Sequence, residues 1–75
     1  MIEYITVIAK MKPNQEIIPL SIIWKDDRIF NIDKIIDIRP KASTKGGGMG
    51  TRYTVRIKNQ ERFLFLYKYS WFIEI

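Results

Sequence analysis

Apolar residues in this chain come in short runs separated by polar breaks, and no helical period lasts a full helix length. The runs are rich in β-branched and aromatic residues, which suit a pleated, half-buried surface. IEYITVIAKM (Ile2 to Met11) predicts a first strand, and KPNQE (Lys12 to Glu16) a turn built on Pro13 and Asn14. IIPLSIIW (Ile17 to Trp24) predicts a second strand. Pro19 has no N–H to give a ladder, so that part belongs at an edge or in a bulge. KDDR (Lys25 to Arg28) is a turn and IFNI (Ile29 to Ile32) the returning strand. A three-residue loop at Asp26, Asp27 and Arg28 pairs Trp24 with Phe30 and Ile22 with Ile32, setting apolar residues opposite each other. DKIIDIRP (Asp33 to Pro40) reads as a strand rather than a helical turn, because Pro40 discourages helix before it and isoleucine favours the pleat.

KASTKGGGMG (residues 41 to 50) reads as a loop, expected to be mobile over residues 44 to 50, since four glycines in five positions are entropically expensive to order. TRYTVRIK (Thr51 to Lys58) alternates cleanly. Tyr53, Val55 and Ile57 fall on one face, and Arg52, Thr54, Arg56 and Lys58 on the other. ERFLFLY (Glu61 to Tyr67) and WFIEI (Trp71 to Ile75) follow as strands. The loop joining the first two of these decides what accompanies the arginines. A two-residue loop at Asn59 and Gln60 pairs Arg56 with Phe63 and Thr54 with Phe65, so Phe63, Phe65 and Tyr67 share the arginine face. A three-residue loop pairs Ile57 with Phe63 and turns those aromatics into the core. The second reading is preferred here, because Gln60 is a poor residue for positive φ.

Seventy-five residues make one domain, residues 1 to 75. Five to seven short antiparallel strands in that length imply an all-β fold, most economically a small SH3-like barrel with a glycine-rich loop. Trp24 and Trp71 are the expected core anchors. The apolar strand WFIEI is expected to close the barrel on Ile2 to Met11 rather than pair with a second molecule, giving a monomer.

Charge changes the picture more than size does. The net charge is +5, and Arg39, Lys41, Lys45, Arg52, Arg56 and Lys58 form a stretch with no acidic residue between them. Such asymmetry speaks about partners rather than fold. The chain has no cysteine and no histidine, which removes disulfides, thiolate metal sites and the commonest general base. With no apolar run long enough to span a bilayer and no signal-peptide pattern, the expectation is a soluble cytoplasmic protein without membrane association.

The pattern Pro19-Leu20, Trp24, Arg28-x-Phe30-x-Ile32-Asp33, Ala42-Ser43-x-Lys45-Gly46-Gly47-x-x-Gly50, Arg52-Tyr53 and Trp71-Phe72 resembles a group of short bacterial proteins. The resemblance covers most of the chain beyond residue 18. It implies a small β-barrel and no assigned activity.

GGGMG is neither a phosphate-binding Walker loop nor a dinucleotide fingerprint, since no Gly-Lys-Ser/Thr follows and no helix is expected. Gly46, Gly47, Gly48 and Gly50 could still expose backbone N–H groups as an anion nest beside Lys45 and Arg52. Asp33 and Asp37, four apart, would share a strand face, but no third metal ligand follows at suitable spacing. Ser43, Thr44 and Lys45 lack the rigid setting that a Ser–Lys dyad needs. The reading is a non-enzymatic binding module with no cofactor or metal. It contacts nucleic acid or another polyanion through Arg39, Lys41, Lys45, Arg52, Arg56 and Lys58. The alternative is a protein-interaction module that docks through an apolar strand edge.

Overall fold

A computed structural model describes residues 2–42 and 49–74. Among them the chain forms eight strands and no helix: β1 (Ile2–Tyr4), β2 (Thr6–Met11), β3 (Ile17–Ile23), β4 (Ile29–Asn31), β5 (Lys34–Ala42), β6 (Met49–Ile57), β7 (Gln60–Tyr67) and β8 (Ser70–Glu74). They pair antiparallel into a five-stranded sheet, order β1-β8-β7-β6-β5, and a three-stranded sheet, order β2-β3-β4. The all-β expectation holds, but the strands divide between two sheets rather than pairing as one closed barrel.

The expected first strand is broken in two. At Ile5 the chain leaves the larger sheet, with the Ile5 N–H donating to the Trp71 carbonyl (3.1 Å). β1 pairs with β8, and β2 then pairs with β3. Sequence alternation does not register this switch, because both halves keep one face against the same core. A second corner joins β4 to β5. There the Ile32 N–H donates to the Leu20 carbonyl and the Asp33 N–H to the Arg56 carbonyl, both at 2.9 Å. The expected pairing of the last strand with the first is present in β1–β8.

Tyr53, Val55 and Ile57 of β6 alternate into the core with Leu64 of β7, Ile73 of β8 and Ile22 of β3. Val55 and Leu64 are fully buried. Trp24 and Trp71 pack against this cluster while staying half-buried. The Tyr53 hydroxyl donates to the Ile17 carbonyl (2.7 Å), tying the large sheet to the small one. Pro19 is buried beside a bulge: Ile8 faces Ser21 and Ala9 faces Pro19, leaving Leu20 as the extra residue.

The two hairpins of the small sheet share one design. The Lys12 N–H donates to the Glu16 carbonyl and the Trp24 N–H to the Arg28 carbonyl, each at 2.8 Å and each closing a three-residue loop. The last loop residue is left-handed in both, Gln15 at φ 70° and Asp27 at φ 68°. Asn14 Oδ1 accepts from the Glu16 N–H and Asp26 Oδ1 from the Arg28 N–H, a local bond that sets these loops. The loop therefore spans residues 25 to 27, one position before Asp26 to Arg28. Ile22 faces Phe30 rather than Ile32, and Ile23 rather than Trp24 ends the strand. Slippage by two keeps every side chain on its expected face.

Two further expectations change. β5 bulges at Ile36, between the Ile35–Val55 and Asp37–Thr54 pairs. That odd step puts Asp33 and Asp37 on different faces rather than one. The expected loop over residues 41 to 50 is narrower, since Lys41 and Ala42 extend β5 and Met49 and Gly50 begin β6.

Candidate polyanion-binding face

The β6–β7 connection settles the face of the aromatics. The loop has two residues, Lys58 and Asn59, at φ 50° and 65°, the left-handed pair of a type I′ turn. Arg52 therefore faces Phe65, Thr54 faces Phe63 and Arg56 faces Glu61. Leu64 and Leu66 turn towards the core, and Phe63 and Phe65 join the arginines on the opposite face. The preferred core reading of Phe63, Phe65 and Tyr67 is thereby overturned. The chain avoids positive φ at Gln60 by turning one residue earlier.

One row of direct cross-strand neighbours now runs across all five strands of the large sheet: Tyr4, Phe72, Phe65, Arg52 and Arg39. Its aromatic half is packed. The Phe65 and Phe72 rings stack with centroids 5.1 Å apart, and Tyr4 meets Phe72 edge-on at 5.7 Å. Its cationic half sets Arg39 directly opposite Arg52, a like-charge pairing that disfavours the sheet. The Arg52 guanidinium lies 4.9 Å from the centroid of Phe63, which is 41% exposed. Such a cation–π contact stabilises by roughly 0.5–1 kcal/mol near a surface. Arg52 Nε is nevertheless buried with no hydrogen-bond partner among the described residues.

Beside this row lie Arg56 and, opposite it on β5, Lys34. Two carboxylates temper the face. Asp37 holds the Arg39 Nε at 2.6 Å, and Glu61 stands 3.9 Å from Arg56. All four groups are substantially exposed, so these pairs contribute little to stability and leave the cations available.

Of the basic residues grouped by sequence, Arg39, Arg52 and Arg56 come together on this face. Lys41 occupies the β5 position opposite Gly50. Lys58 does not belong there: it sits in the turn, its N–H donates to Asp33 Oδ2 (3.0 Å), and its Nζ lies 5.1 Å from the Phe30 ring. That is the other side of the sheet. Lys45, Gly46, Gly47 and Gly48, with most of the expected mobile loop, lie outside the described residues. Gly50 is a strand residue of β6. A Cβ there would fall 2.7 Å from the Leu66 carbonyl oxygen, so the close approach of β7 requires glycine.

Phe65 was placed beside the arginines by the two-residue-loop reading of the sequence, but Lys34, Tyr4 and Phe72 were not assigned to this face. The available signal was Leu64 and Leu66, whose burial forces their neighbours outwards. No protein-family model, curated protein or solved structure matches the chain.

Proposed function

We propose that the outer face of the five-stranded sheet binds single-stranded nucleic acid without catalysis. The observation that carries this is the adjacency of Arg39 and Arg52 in one row with Phe65 and beside the half-exposed Phe63. The repulsion between two opposed arginines disfavours the sheet, and an anion lying over them would relieve it. Phosphates along a strand would bridge Arg39, Arg52, Arg56 and Lys34, and a base would stack on Phe63. Lys41, opposite Gly50 on β5, and Lys45, outside the described residues, are the further basic residues that the sequence assigns to this contact. The contacts neutralise and position rather than read sequence. We read the two corners, at Ile5 and at Ile32–Asp33, as those of an open SH3-like barrel, a monomer acting in the cytoplasm.

A fluorescently labelled oligothymidylate, titrated at several salt concentrations and followed by anisotropy, tests the reading. Four phosphate contacts give a slope of about −3 in log affinity against log salt. Phe63→Ala should weaken binding by roughly 1–3 kcal/mol, the usual worth of one stacked base. No binding at low salt, or binding untouched by Arg39→Ala with Phe63→Ala, rejects it.

One observation favours the second reading, a protein-docking module. The outer edge of β2 pairs with no strand among the described residues, and Ile8 and Met11 there are 45% and 70% exposed. An added strand from a partner would use that edge.

A further inference from the structure

A cleft of about 370 Å³ opens where the two sheets part beside the β6–β7 turn, a volume within the range of small-molecule sites, roughly 300–1,000 Å³. Ile22, Ile57 and Ile73 form its floor; all three are buried core residues. Trp24 and Phe30, both half-buried, form its sides. The inward-facing row of β7 explains the opening. It runs Leu66, Leu64, Arg62, Gln60, so the row turns from apolar to polar at this end, with Arg62 opposite Val55 and Gln60 opposite Ile57.

Three cations gather on this apolar lining: Arg28, Lys58 and Arg62. The Phe30 ring has Lys58 Nζ at 5.1 Å and the Arg28 guanidinium at 5.4 Å. Arg28 is already held by Asp26, at 2.6 Å. Among the described residues the Arg62 side chain bonds only the neutral Gln60 side chain, and Lys58 Nζ forms no ion pair, although the Asp33 carboxylate accepts from the Lys58 N–H. Glu74 is the single acid of the lining. Lys58 and Arg62 thus form no ion pair over a hydrophobic floor, with Glu74 in the lining and Asp33 on the Lys58 N–H as the carboxylates beside them.

We propose that this cleft is a binding site for a small amphipathic anion. An aryl or short acyl group would fill the floor between Trp24 and Phe30, and a carboxylate would be held by Lys58 and Arg62. Phosphate tracking needs no such floor, so the site is independent of the outer face. The same chemistry exists in a free carboxylic acid and in the C-terminal residue of a peptide with an apolar side chain.

The test is titration of the full chain with 2-naphthoate, observed by amide and indole NMR shifts. Saturable shifts are expected at Trp24, Phe30, Ile57 and Lys58. The neutral analogue 2-naphthol should bind at least about tenfold more weakly, since it leaves the cations unmet. Lys58→Met with Arg62→Met keeps the aliphatic stems and should lose a similar factor, its fold checked by thermal melting. Arg39→Ala, on the other face, should change nothing. A short peptide ending in phenylalanine, with a free or an amidated C-terminus, separates the two sources: tighter binding of the free acid than of naphthoate assigns the site to chain ends, weaker binding to small molecules. Absence of saturable shifts, equal binding of 2-naphthol, or shifts confined to the outer face overturns the proposal.

Discussion

Tyr53 does two jobs with one side chain. Its ring fills the core and stacks at a tilt on Trp71, with centroids 5.5 Å apart, while its hydroxyl bonds Ile17. Burial raises the phenol's pKa above its usual value, and the nearby Glu16 carboxylate adds to the effect. The neutral phenol is the form the fold favours, so the sign follows directly. Its contribution is fully present below the unfolded pKa of about 10 and is lost as pH rises through the higher folded pKa. Tyr53→Phe should cost about 1 kcal/mol at neutral pH through the lost hydrogen bond. The gap between the two proteins should shrink above pH 10, as the wild type meets its own ionisation penalty. Urea unfolding of both at pH 7.5 and pH 10.5 checks this; a constant gap contradicts it. That Tyr53 is buried was legible from the alternation of Thr51 to Lys58. That Thr54, on the charged face, is also buried was not, because its cross-strand neighbour Phe63 is fixed only by the register of the hairpin.

Among elements, the β6–β7 hairpin was the least legible. The two readings from sequence differed by one loop residue, and that residue inverts the whole of β7. Turn chemistry gave weak guidance, since neither Lys58 nor Gln60 is a favoured residue for positive φ. The decision comes from the sheet: only the observed parity buries Leu64 and Leu66 against Tyr53 and Trp71 while leaving Arg62 at the mouth of the cleft. Here the tertiary core overrides the local preference. The hairpin should therefore carry strain that better turn residues relieve. Lys58→Asn with Asn59→Gly supplies the favoured type I′ pair and should stabilise by about 1 kcal/mol, a rise of roughly 4–8 °C in melting temperature. Thermal melting reads it directly, and an unchanged midpoint would mean that the existing turn carries no such strain. By contrast, the presence of the hairpins at residues 12–16 and 24–28 was legible, although the second loop lies one residue earlier than expected; the Asn14 and Asp26 side chains bond the chain two residues on.

For the molecule as a whole, strand content and the pairing of the last strand with the first were readable, and the division into two sheets was not. The switch at Ile5 depends on where β8 ends and β3 begins, far away in sequence. The same pairing gives a further result. Ile2 and Glu74 are direct cross-strand partners, so the ends of the described chain stand one ladder spacing apart, about 5 Å between Cα atoms. An unfolded linear chain is free to separate those ends, and folding must give up that freedom. A backbone ring, closed from end to end through a short Gly/Ser linker, would lose it in advance and demand no distortion of β1 or β8. In the loop-entropy description a closure of this length removes up to about 4 kcal/mol from the unfolded state, with real cross-links delivering less. The cyclic protein should melt well above a linear chain carrying the same linker residues, and equal melting temperatures would mean that its ends do not meet as the β1–β8 ladder requires.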